Sequence, residues 1–457
     1  MRAKYLIILI SILGASALFF LLSRLDSCGQ KVKALGAEIS IEKRVLSNGL
    51  VVVLVPDQTV PIVSLQLFYR VGSVDEHDGQ TGLAHLFEHL MFKGTSRFGE
   101  KQFFHQLEAK GAEVNAYTTR DFTVFYENFV PDLLPKALEM EADRMLGLQL
   151  SESLLVRERK VVLEERALRT DSSPDGRMQE SLWNLAYAVH PYQRPVIGYP
   201  QDLEGLTVET VMAFYKKYYQ PANAVLVLTG DFSPNSTWAL VKNSFGVLPR
   251  GARPERKLRA EPLQNEEHRL TLRDRTASER FSLGYHVTSA HQDDSYALDV
   301  LSNILFEGTS SRAYRKMVLE KDRAIGISGS AYTPAYPGLF LISATAKQGV
   351  SAESVQADLY GVISEVQDKG VEVEEISAAV KQLTLQLIDG VRTPYGLGQL
   401  IGTVELIFDD PRRFSDDLNK YLRVSQADVQ RVARKYLNPN NRTVVTLVPE
   451  KNGEETP

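Results

Sequence analysis

Apolar positions change their spacing along the chain, and each change marks an element. Residues 5–22 form an almost unbroken apolar run, long enough to span a bilayer as a helix. From residue 39 the pattern becomes that of strands. The Asn48-Gly49 turn signal leads into the β-branched run 51–55, and residues 61–69 alternate with period two. Leu83, Leu86, Phe87, Leu90 and Met91 then recur at helical spacing, and Gly94 supplies a stop. An amphipathic segment around residues 103–107 follows. Residues 113–119 and 122–129 are dense in aromatic and β-branched side chains and read as paired strands. Residues 133–148, 153–168 and 206–219 read as helices, the last opened by Thr207 as a cap. The apolar strand 224–229 comes next.

The second half repeats the first. Lys217-Tyr218-Tyr219-Gln220-Pro221-Ala222-Asn223 is echoed by Lys435-Tyr436-Leu437-Asn438-Pro439-Asn440-Asn441, each after a helix and before an apolar strand. Gly94-Thr95-Ser96-Arg97 has a counterpart in Gly308-Thr309-Ser310-Ser311-Arg312. Between the copies lies a charged stretch with Pro and Gly but little apolar content. These signals predict an anchor or signal plus tether over 1–38 and a domain over 39–250. A linker over 251–269 and a second, homologous domain over 270–457 complete the chain. A cleft between the halves is the natural place for a substrate.

Composition narrows the chemistry. The chain has 457 residues, 44% hydrophobic and 24% charged, as in a globular protein too long for one core. Its net charge of −5 and the absence of a basic cluster give no argument for nucleic acid. A single cysteine, Cys28, excludes an intramolecular disulfide framework and any cysteine-rich metal site. The apolar run at the start predicts a single-pass anchor in a bacterial inner membrane with the domains in the periplasm. The alternatives are an exported lipoprotein modified at Cys28 or a cleaved periplasmic form.

His85-Leu86-Phe87-Glu88-His89 carries the candidate chemistry. On a helix, residues four apart share one face, so both imidazoles can reach one ion, and Glu88 projects to the same side. A hydrolytic zinc site needs neutral imidazoles, an open position and a base, and H-x-x-E-H is the inverzincin order. Two His leave such a site one ligand short. The helix over 153–168 offers Glu158, Glu164 and Glu165, and spacing alone does not choose among them.

These residues resemble the pitrilysin and mitochondrial processing peptidase family of zinc metallopeptidases, which includes insulin-degrading enzyme. The resemblance runs from about residue 39 to 450. It is carried by Gly82 to His89 with Lys93-Gly94-Thr95, by Asn115-Ala116-Tyr117-Thr118, and by Glu158 to Glu165. It implies an α+β fold of two duplicated domains, each a mostly antiparallel sheet with packed helices, closing as a clamshell on an unfolded peptide. By the same resemblance His85, His89 and Glu165 bind zinc, Glu88 is the base, and Glu158 orients Glu165. Asn115, Ala116 and Tyr117 accept substrate as an added strand. Relatives active alone carry an Arg and a Tyr in the second domain, where this chain has Val318 and Ile325. That departure points to a catalytic subunit working with a metal-free homologous partner, with a homodimer next. The rival class is a membrane-anchored, non-catalytic peptide-binding or chaperone-like relative.

Overall fold

The computed structural model describes residues 30–34 and 37–450. The first sheet is built from β1 (Gln30–Ala34), β2 (Ala37–Val45), β3 (Val51–Pro56), β4 (Val63–Tyr69), β5 (Glu113–Thr118), β6 (Thr123–Phe129) and β7 (Ala224–Gly230), in the order β1-β2-β3-β7-β4-β6-β5. Only β3 and β7 run parallel; the other neighbours are antiparallel. Every residue of β4 and β7 is buried, the signature of central strands covered on both faces. At the far end β5 pairs with β6 alone, which leaves its outer edge unpaired among the described residues.

The second sheet contains β8 (His268–Asp274), β9 (Arg280–His286), β10 (Ala324–Tyr332), β11 (Leu339–Ala346) and β12 (Arg442–Pro449), in the order β10-β11-β9-β12-β8. The Pro-Asn-rich corner repeated at 220–223 and 438–441 precedes β7 and β12, and each of these strands lies inside its sheet with one parallel neighbour.

The helices of the first half used below are α1 (Leu83–Leu90), α2 (Glu100–Glu108), α3 (Leu134–Gly147), α4 (Glu152–Arg166), α5 (Pro174–Ala186) and α6 (Val208–Tyr218). Those of the second are α7 (Asp294–Phe306), α8 (Ala352–Lys369), α9 (Val373–Gly390), α10 (Pro394–Phe408) and α11 (Gln426–Tyr436). Helices α1, α3, α4 and α6 bury their apolar faces with Leu54, Leu65, Leu67 and Leu226 in one core. Helices α7, α8, α9 and α11 do the same on the second sheet around Phe281, Leu283 and Ile342.

The remaining faces are covered by exchange. From the second half, α10 lays Leu397, Ile401 and Val404 on Val53, Phe68 and Val225 of the first sheet. From the first half, α5 sets Met178 and Leu182 on Val445 and Leu447, and Trp183 and Ala186 beside Leu339. Contact between α10 and the sheet is close enough that a Cβ on Gly402 would fall 2.2 Å from the Phe68 ring. Residues 251–267 form no helix or strand yet are stitched in place. Arg256 donates to both carboxylate oxygens of Asp75 at 2.8 and 2.7 Å, and Glu261 accepts the N–H groups of Ala188, Val189 and His190.

One expectation is corrected. Among the described residues no helix is long and apolar enough to cross a membrane, so the placement as a single-pass inner-membrane protein does not stand. The helices with buried faces spend their apolar residues on the two cores. The run over 5–22 and Cys28, on which the anchor and lipoprotein readings rested, lie outside the described residues.

Candidate metal centre

Helix α1 is fixed at its start by a buried carboxylate. Glu76, only 3% exposed, accepts the N–H of Gly82 at 2.9 Å and of Ala84 at 2.8 Å. It thereby satisfies N–H groups that a helix N-terminus leaves without intrahelical partners. Gly82 itself has φ +86, and a Cβ there would come within 2.7 Å of the Ile197 carbonyl oxygen. Leu86, Phe87 and Leu90 are fully buried, with the Phe87 ring stacked on Tyr215 at an interplanar angle of 6°. That packing sets the rotation of α1 and turns His85, Glu88 and His89 toward a cavity of about 730 Å³.

Helix α4 brings the third group. Its cap is Ser151, whose side chain accepts the Leu154 N–H, and Leu155 and Val162 bury one face. Glu165 emerges opposite α1 with Oε2 3.3 Å from His89 Nε2 and 3.7 Å from His85 Nε2. One donor atom from each of the three residues lies within 4.8 Å of the other two. Tetrahedral ligands at zinc bond lengths stand about 3.4 Å apart, so this donor set fits that ion.

Burial decides the protonation states. His85 is lowered to about 4, first by desolvation and then by the neighbouring His89, and desolvation also lowers His89. Both rings are therefore neutral at pH 7, the state a metal ligand needs. Glu88 is raised to about 7, chiefly by desolvation, against a lowering hydrogen bond from Thr118. That bond is short: Thr118 Oγ1 donates to Glu88 Oε2 at 2.6 Å.

The other residues singled out by sequence fall in two groups. Asn115, Ala116 and Tyr117 lie on the open edge strand β5 and line the same cavity as His85, Glu88, His89 and Glu165. The Tyr117 hydroxyl, however, donates to Gln399 of α10 on the far face of the sheet. Glu158 is only 1% exposed and is held by Lys93 at 3.0 Å and by Arg157 at 3.2 Å. The oxygen of Glu165 turned away from the imidazoles, Oε1, meets Arg169, whose Nη1 stands 2.8 Å from it. Thr118, expected only as part of the strand that accepts substrate, instead bonds Glu88; for Arg169 the i, i+4 spacing from Glu165 is the one local signal. Residues 85–197 supply the cavity lining, and neither Val318 nor Ile325 is part of it.

Comparison with known proteins agrees with this architecture. Residues 51–199 match the family described as insulinase, peptidase family M16, and residues 205–383 match the peptidase M16 inactive domain. A zinc protease, PqqE, of Helicobacter pylori is 29% identical over 412 residues, covering 89% of this chain and 93% of the relative. An uncharacterized zinc protease of Mycobacterium tuberculosis is 29% identical over 88% of this chain and 92% of its own. The crystal structure of a protease from Helicobacter pylori superposes with a TM-score of 0.86 at 29% identity, over 92% of this chain and all of that one. An M16-like peptidase structure from Alicyclobacillus acidocaldarius, 22% identical, shares the fold with a TM-score of 0.81 over 92% of this chain and 100% of its own. With both halves matched by its domains, the chain belongs to the M16, or pitrilysin-like, peptidase family.

Proposed function

We propose that the protein is a zinc-dependent endopeptidase acting on extended or unfolded peptides. The observation that carries this reading is one constellation. Two uncharged imidazoles and one carboxylate oxygen converge, and a second carboxyl of elevated pKa stands beside them. The names of the Helicobacter and Mycobacterium relatives support zinc as the metal.

His85, His89 and Glu165 would hold the ion, which when bound polarises the scissile carbonyl and eases deprotonation of water. Glu88 moves the proton. Its carboxylate takes one from the attacking water, and a pKa of about 7 lets it keep that proton until the leaving amine accepts it. Thr118 fixes the rotation of the carboxyl through its 2.6 Å bond. The free edge of β5 offers main-chain N–H and C=O groups to an extended peptide. Pairing of that kind recognises backbone and tolerates varied side chains.

A lining that, among the described residues, comes from 85–197, with Val318 and Ile325 near the positions where self-sufficient relatives carry Arg and Tyr, favours a catalytic subunit completed by a metal-free homologous partner. Robust turnover of an unfolded peptide by the purified chain alone would reject the pairing.

The central test measures zinc content and cleavage of an internally quenched unfolded peptide, with the partner present if one is required. Glu88→Gln keeps the metal and loses roughly 10²–10⁴-fold in turnover, whereas His85→Ala loses the metal. Full activity in Glu88→Gln would refute the assignment of the base. Peptide binding without cleavage by the zinc-loaded chain is the outcome expected of a non-catalytic relative.

A further inference from the structure

We propose that Arg169 is a positioning residue for Glu165, aiming one carboxylate oxygen at the two imidazoles by holding the other. The inference rests on the zinc-ligand reading of His85, His89 and Glu165.

Three observations carry it. The Glu165 carboxylate is already divided: Oε2 faces His89 and His85 at 3.3 and 3.7 Å, while Oε1 takes Arg169 Nη1 at 2.8 Å. Oε2 therefore reaches a ligating direction with no rearrangement of the Arg169 contact. Next, the backbone is shaped to make that contact. Helix α4 ends at Arg166 and continues as a single π-helical turn, Ala167–Asp171, closed by the Ser172 N–H on the Ala167 carbonyl at 2.9 Å. Such wide turns are uncommon inside helices and gather at functional sites. This one carries Arg169 and Thr170 into the wall of the cavity. Last, the other candidates for the task are occupied. Glu158 is a carboxylate spent on Lys93 and Arg157, and the Lys93 ammonium lies 3.0 Å from Glu158 and 3.5 Å from Glu100. The Arg169 side chain is 76% exposed and has Glu165 as its ion-pair partner among the described residues.

Charge and position make opposite demands here, which gives the test its sign. A guanidinium beside a cation site repels the cation, so if Arg169 acted only through its field, removing it would tighten zinc binding. If it orders the ligand, removing it loosens zinc, because Glu165 must then surrender rotamer freedom on binding. Partners that orient metal ligands are worth roughly 10–100-fold in affinity.

The experiment is competitive zinc titration of the full chain against a chromophoric chelator. It compares the native protein with Arg169→Met, Arg169→Lys and Lys160→Met, the last removing an exposed cation elsewhere on α4. Circular dichroism checks that each variant is folded, which the exposure of Arg169 favours. The expected result is zinc affinity about tenfold or more weaker in Arg169→Met, substantially restored in Arg169→Lys, and unchanged in Lys160→Met. Native or tighter affinity in Arg169→Met would overturn the positioning role and leave the metal centre intact. Absence of zinc uptake by the native chain would overturn the metal centre itself and this inference with it.

Discussion

At the scale of single residues, the demanding requirement is a carboxyl that exchanges a proton yet does not wander. In the proposed mechanism Glu88 meets both halves of it through different neighbours. Burial lifts its pKa to about 7, and Thr118, the last residue of β5, ties down Oε2 at 2.6 Å. Thr118→Val keeps the side-chain shape and removes only the donor. Loss of a hydrogen bond to a charged group costs about 1.5–3 kcal/mol, so kcat is expected to fall roughly ten- to hundredfold. KM and zinc content stay as in the native chain, because neither the strand edge nor the ligands are altered. A rise in KM with kcat intact would show that Thr118 serves the peptide-binding edge instead. The i, i+4 imidazoles and their neighbouring Glu were legible in the sequence because helix geometry alone puts them on one face. The choice of Glu165 over Glu158 and Glu164 was not legible that way and came from resemblance. Thr118 reaches Glu88 only when β5 is brought against α1, which no local pattern announces, whereas the i, i+4 spacing of Arg169 from Glu165 is a local signal.

At the scale of elements, the pattern of apolar positions served well where the backbone keeps a regular repeat. The β-branched run and the alternating run became β3 and β4, and the helical spacing around Leu86 became α1 with its apolar face on α6. It failed where backbone geometry departs from the regular repeat. The helix expected over 153–168 ends as an α-helix at Arg166 and widens into the π turn at Ala167–Asp171, and composition does not distinguish that from one more α turn. Periodicity was also silent about which face covers which. Helix α10 has apolar residues and glycines on the side that meets the first sheet, and Gly398 and Gly402 allow its approach to Gln66 and Phe68. Read as a string, those glycines only weaken a helix; seen on the sheet, they are the reason it can lie there.

At the scale of the whole molecule, the exchange of α5 and α10 changes what a domain means for this chain. Two halves joined by a linker of more than a dozen irregular residues would by default move and unfold separately. Here each sheet relies on the other half for one of its two covers: Leu397, Ile401 and Val404 shield Phe68 and Val225, while Met178 and Leu182 shield Val445 and Leu447. Stripping either helix exposes a central β surface, so neither half has a complete core without the other. The expectation is a single cooperative transition. The two tryptophans provide the probes, since Trp183 sits on α5 beside Leu339 of the second sheet. Trp238, on the helix Pro234–Ser244, packs against the core of the first. Single-tryptophan variants, Trp183→Phe and Trp238→Phe, should unfold in denaturant at the midpoint that far-UV circular dichroism reports for each. Gly402→Ala sharpens the test. Its added methyl meets the Phe68 ring at 2.2 Å, overpacking that costs about 1–3 kcal/mol and originates in the second half of the chain. Because the contact belongs to both halves, both fluorescence midpoints should move down together. A shift confined to one tryptophan, or two separated transitions in the native chain, would mean that the exchanged helices are ornaments on two independent cores.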